Sequence, residues 1–126
     1  MSRTALVSGA LLLVAAVHLL PLLGVFGTQR LQQLYGLHIE EPNLLLLMRH
    51  RALLFGLLGA LLAAAAFKPA WQGVALLGAW GSVLGFVLLA PAGLVPALHR
   101  VWWIDVALLP VLALATWAWW GRDNGG

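Results

Sequence analysis

Four long runs of almost unbroken apolar residues, at about 4–26, 42–67, 71–90 and 97–120, leave this chain few folds to choose from. Each is as long as the roughly 20 residues a helix needs to cross the hydrocarbon of a bilayer. In that medium every backbone N–H and C=O must be satisfied within the segment, which a helix does. Hydrophobic residues make up 63% of the chain and charged ones 9%, with a mean hydropathy of +0.97. A soluble domain has too little interior to hide such a surface. The chain is therefore expected to be all-α: a polytopic membrane protein whose 126 residues form a single four-helix transmembrane bundle.

The first run follows Arg3 and is too long for the apolar part of a secretory signal, so it reads as an anchor. Gly27 to Glu41 is the one extended polar stretch, and Arg30, Tyr35 and His38 suit a short interfacial segment at headgroup level. Glu40, Glu41 and Pro42 look like a solvated helix start, with acids at the positive end and Pro in the first turn. Gly56, Gly59, Ala60, Ala63 and Ala64 allow the second span to approach a neighbour closely. The third span carries Gly81-Ser82-Val83-Leu84-Gly85, a second close-packing signal. Pro91 to Pro96 forms a turn, and Pro110 is expected to kink the fourth span. Trp102 and Trp103 mark one interface, and Trp71, Trp117, Trp119 and Trp120 the other, while Trp80 falls mid-span and is expected inside the bundle.

Met48-Arg49-His50-Arg51 lies within an otherwise greasy helix, and ionisable groups in such a place are functional candidates with a partner to be found. The polar connection between the first two spans defines a loop side, opposite the side that holds both termini. Counting helical rise from the loop side puts His18, Ser82 and Asp105 about 12 Å deep, and Arg49 and Arg51 about 10–13 Å deep. Arg49 shares a face with Ala52, Gly56, Gly59 and Ala63, so it should meet another helix, and Asp105 is its expected ion-pair partner. His50 shares a face with Leu53, Leu54, Leu57 and Leu61. Arg51 points nearly opposite Arg49, toward another helix, a ligand or the interface. Plainer roles fit the same residues: an ion pair that only sets helix register, Arg51 snorkelling to headgroups, His18 as a packing histidine, and Ser82 bonded to its own helix. Arg30, His99 and Arg100 suit contact with anionic headgroups.

The segments HLLPLLGVFG (18–27) and LYGLHIEEPNLLLLMRHRALLFGLLG (34–59) resemble a family of small four-span bacterial inner-membrane proteins, the RHR segment after E-P-N being the most specific part. Members often carry the label phosphopantetheine adenylyltransferase. That enzyme is a soluble α/β fold with a (T/H)xGH motif, and this sequence offers neither. The layout is also similar, more loosely, to DoxX-like four-helix membrane proteins. Both likenesses imply a four-helix bundle in a bacterial inner membrane and no particular reaction.

Cysteine is absent, which removes disulfides and thiolate metal sites. No metal site is expected. There is no phosphate loop, no HExxH and no acyl-transfer triad. The net charge of +3 is scattered over helix ends, so nucleic acid is not an expected partner. Three functions remain. The layer of Arg49, His50, Arg51, His18, Asp105 and Ser82 could bind an anionic or carbonyl-bearing amphiphile such as a lipid or quinone. The chain could be a structural or assembly subunit, as a homo-oligomer or within a larger membrane complex. It could hold haem b between His18 and His50, although no cofactor is the primary expectation. Arg3, Lys68 and Arg122 favour cytoplasmic termini.

Overall fold

The computed structural model describes residues 2–124, and every regular element in them is helical. Helix α1 (Arg3–Leu19) is capped by Ser2, whose hydroxyl accepts from the Ala5 N–H at 3.1 Å. Its apolar run continues as a 3-10 segment, Leu20–Phe26. Pro21 has no N–H to give the Val17 carbonyl, so the regular α-helical ladder stops there. Gly27 (φ +111°) and Gly36 (φ +67°) adopt backbone conformations that favour glycine, and they bracket the short helix α2 (Thr28–Tyr35). This helix buries Leu31 and Tyr35, one turn apart, and leaves Gln32 and Gln33 exposed. With Ile39 they form a small core beneath Leu45 and Met48 on one side and Leu98 and Val101 on the other. The interfacial segment is thereby pinned over the loop-side end of the bundle.

Helix α3 (Pro42–Ala65) starts where the Glu41 carboxylate accepts from the backbone N–H groups of Asn43 (3.1 Å) and Leu44 (2.8 Å). A 3-10 turn, Pro69–Trp71, leads into α4 (Gln72–Leu89), and α5 (Pro96–Asn124) closes the chain. Helix α5 continues through Pro110 as one unbroken element. Four segments are long and apolar enough to cross a membrane: Arg3–Phe26, Pro42–Ala65, Pro69–Leu89 and Pro96–Arg122. They start and end within a few residues of the expected spans.

Helix α1 lies between α3 and α5, and α4 touches the same two helices, so α1 and α4 stand diagonally across the bundle. The main core alternates large and small side chains. Leu11, Leu62, Leu76 and Leu112 interleave with Ala65, Ala75, Ala79, Ala115 and Ala118. Small residues bring backbones close where lipid offers no hydrophobic gain. Trp80 packs against this core as expected and donates its indole N–H to Thr116 Oγ1 at 2.8 Å. On the terminal side, Arg3 lies 4.5 Å from the Trp117 ring centroid and Lys68 4.2 Å from that of Trp71.

The two close-packing signals separate. A Cβ placed on Gly59 would stand 2.8 Å from Leu19 Cγ and 3.2 Å from the Ala15 carbonyl oxygen, so α3 does press against α1 there. At Gly81 and Gly85 an added Cβ would meet nothing within 4 Å, so that motif joins no other helix of this chain. Thermal unfolding in mild detergent should accordingly find Gly59→Ala destabilised by about 1–3 kcal/mol through overpacking. Gly81→Ala should be neutral or up to about 1 kcal/mol more stable through helix propensity.

Glu41 titrates below the usual carboxylate range because the Leu44 and then the Asn43 backbone N–H groups donate to its charged form. A depressed carboxylate stabilises the fold above its ordinary pKa, and that stabilisation fades as pH falls through the lowered value. The amide resonances of Asn43 and Leu44 should therefore shift on acidification below the ordinary glutamate range, and Glu41→Gln should abolish the shift.

Candidate functional site

Side chains from all five helices converge in the loop-side half of the bundle. His18 is 3% exposed and sits near the end of α1. Its Nδ1 lies 2.9 Å from the Val14 carbonyl, which can only accept. In the neutral ring Nδ1 therefore carries the proton, and Nε2 accepts the Ser82 hydroxyl at 2.8 Å. This bond ties the diagonal helices α1 and α4 together. Ser82 thus bonds across the bundle, where the sequence allowed a bond within its own helix. The Phe55 ring stands against His18 at 5.6 Å between centroids.

Arg51 occupies the middle of the cluster. Its Nη1 donates to the Tyr35 hydroxyl at 3.0 Å, and its guanidinium carbon lies 4.4 Å from the Phe55 centroid and 5.5 Å from that of Tyr35. Aromatic faces stabilise a cation by up to about 2 kcal/mol when water is excluded. Asp105 of α5 is 9% exposed, and among the described residues no protein group donates a hydrogen bond to it and no ion pair includes it. Arg51 lines the same small cavity as Asp105.

Two openings meet at this cluster. A cavity of about 40 Å³ is lined by His18, Tyr35, Arg51, Phe55 and Asp105 among others. Its walls are mostly apolar, with polar groups from His18, Tyr35, Arg51 and Asp105, and it is large enough for a water molecule or one polar ligand group. A groove of about 560 Å³ opens between α3 and α4 toward the loop side, with Met48, Phe86, Leu89 and Leu94 in its walls. That volume falls in the range of ligand sites. Arg51, Tyr35 and Phe55 line both.

The expected Arg49–Asp105 ion pair does not form. Arg49 is exposed, and its Nε donates to the Val25 carbonyl at 2.8 Å, at the 3-10 segment after α1. Its helical face was read correctly, since Ala52, Gly56 and Gly59 are buried beside it. That face meets α1 and the turn behind it, and α5 lies elsewhere. The opposite face, carrying Arg51, looks into the bundle toward Asp105. His50 is exposed beside Leu53, Leu54 and Leu57 and lines neither opening, so the structure does not bring it to His18.

Tyr35 was expected at the interface, yet it is 3% exposed. It sits one turn from Leu31 on the buried face of α2, which carries it down onto Arg51. Of the other interfacial residues, Arg30 is exposed and donates to Gln33. Glu40 pairs with His38 at 2.8 Å. Glu41 caps α3, His99 accepts from the Trp103 indole at 3.1 Å, and Arg100 is exposed. Phe55 escaped the sequence reading altogether. Its i+4 spacing from Arg51 was the available signal, because residues so spaced share a helix face. Among the described residues no group of three or more metal-ligating side chains is gathered.

The chain matches no family model, and neither curated proteins nor solved structures yield a match. The arrangement of these side chains is thus the whole basis for a functional reading. Its stability contribution is measurable: Tyr35→Phe removes the acceptor of a half-buried charged donor and should cost about 1–3 kcal/mol in detergent unfolding. Arg30→Gln, at an exposed pair, should change stability by less than about 0.5 kcal/mol.

Proposed function

We propose that this protein binds an amphiphile, a lipid or quinone whose head carries an anionic group or a carbonyl, within a bacterial inner membrane. The observation that carries the reading is the position of Arg51. It lines both an apolar groove of about 560 Å³ and the cavity of about 40 Å³ that also holds His18 and Asp105. An acyl or isoprenoid chain fits the groove between α3 and α4, and the head reaches the guanidinium and the Tyr35 hydroxyl at its inner end. Arg51 spends one N–H on Tyr35, and an arginine has five to give. Placing such a cation among apolar helices is costly even when it is only partly buried, and a site that uses it is the usual reason for keeping it. The likeness to small four-span bacterial proteins supports the location. Cytoplasmic termini are supported by Arg3 and Lys68, which lie against Trp117 and Trp71 as interfacial cations do.

Purification in mild detergent followed by mass spectrometry of bound lipids and quinones tests the reading. Wild type and Arg49→Met should carry the same amphiphile, because Arg49 faces outward. Arg51→Met, with helical content checked by circular dichroism, should retain less than about a tenth of it. Equal retention in Arg51→Met would reject the proposal.

A second reading, as an assembly subunit or homo-oligomer, draws on Gly81. Gly81 is exposed on α4 with nothing near it, so another helix could approach closely there, while Gly85 lines the groove.

A further inference from the structure

We infer that the amphiphile taken by this site has an uncharged head, one that offers an oxygen to Arg51 and Tyr35 and a hydroxyl to Asp105, and that Asp105 sets this preference. The inference rests on the binding reading above and narrows it, since an anionic head and a neutral carbonyl-bearing head were both left open there.

Charge balance is the first ground. Arg51 and Asp105 line the same cavity of about 40 Å³, and among the described residues no second arginine or lysine lines it. Arg49 turns outward to the Val25 carbonyl, Arg30 lies on the exposed face of α2, and Arg100 is exposed on α5. From α1 the cavity receives His18, whose two ring nitrogens are already engaged with Val14 and Ser82. From α4 it receives only Phe86. The cluster is therefore one cation and one carboxylate. A phosphate or carboxylate head would add an anion beside Asp105 with no cation left to balance it, and like charges brought together in a low-dielectric site repel strongly.

Hydrogen-bonding capacity is the second ground. Asp105 as a residue is 9% exposed, and its carboxylate receives no hydrogen bond from the protein among the described residues. A carboxylate with open lone pairs in a largely desolvated site needs a donor, and an ionised carboxylate can only accept. On the other wall, the Arg51 N–H groups and the Tyr35 O–H are donors that need an acceptor. A head with one acceptor oxygen and one hydroxyl satisfies both walls at once. A neutral glyceride has that pattern, and so does a quinol. An anionic phosphate satisfies the donors and leaves Asp105 worse placed than before.

The test is a competition read by native mass spectrometry on the full chain in detergent, with head groups exchanged on identical tails. Dioleoylglycerol and dioleoyl phosphatidate are supplied in equal amounts. Wild type should retain the diacylglycerol over the phosphatidate by about tenfold or more. Asp105→Asn, which leaves Arg51 unbalanced, should reverse the order. Asp105→Glu, which keeps the charge, should preserve it and controls for loss of fold. A long-chain quinol run against the same phosphatidate separates the two uncharged sources, and retention of either one over phosphatidate supports the inference. Retention of phosphatidate over both neutral probes by wild type would overturn it while leaving the binding reading intact. An unchanged order in a folded Asp105→Asn would remove Asp105 from the role assigned to it. Failure of wild type to retain any of the three probes would overturn the inference together with the binding reading.

Discussion

The contact between α3 and the end of the first span governs this molecule. Gly56 meets Leu22, and Gly59 meets Leu19 and the Ala15 carbonyl, with no room for a side chain between. That approach sets the rotation of α3 about its own axis. Once the glycine face is committed to α1, Arg49 on the same face must lie outside beside Val25, and Arg51, nearly opposite, must look into the bundle. A turn of α3 by half a revolution would exchange the two arginines. Which arginine faces the cavity is thus a consequence of where two glycines sit.

The half-buried Arg51 in turn explains the elements gathered round it. Pro21 ends the α-helical ladder of α1, Gly27 turns the chain, and α2 brings Tyr35 back over the opening. Phe55 and Tyr35 offer their ring faces to the guanidinium, and the Tyr35 oxygen accepts one of its protons. Each of these contacts replaces part of the hydration that Arg51 gives up. The His18–Ser82 bond spans the diagonal between α1 and α4 next to the same cluster, and it fixes the floor on which the groove ends. The terminal half of the bundle has a different construction: interleaved leucines and alanines with Trp80 packed against them, and the Arg3–Trp117 and Lys68–Trp71 pairs at its rim.

Much of the arrangement was legible from residue order. His18, Arg51, Ser82 and Asp105 fall at one depth by helical rise alone, and the structure sets all four around the same pair of openings. The opposite phase of Arg49 and Arg51 was equally legible. Which of them meets Asp105 was not, because a small-residue face says that a neighbour approaches and does not say which neighbour. The same gap misled at Gly81 and Gly85, where the spacing is right and no helix of this chain lies against it. Tyr35 was placed at the interface because its segment is polar on average. The burial follows from its phase with Leu31, a finer property than composition.

By itself the order of amino acids determined four apolar helices, their lengths, their polar connection and the level at which ionisable groups enter them. These are local properties, set by backbone hydrogen bonding and the thickness of an apolar layer. Only the tertiary structure decided that α1 and α4 are diagonal, that Asp105 faces Arg51, and that an apolar groove opens between α3 and α4 at that level. Helix rotation and neighbour order depend on how whole surfaces interlock, and no single helix carries that information in its own pattern.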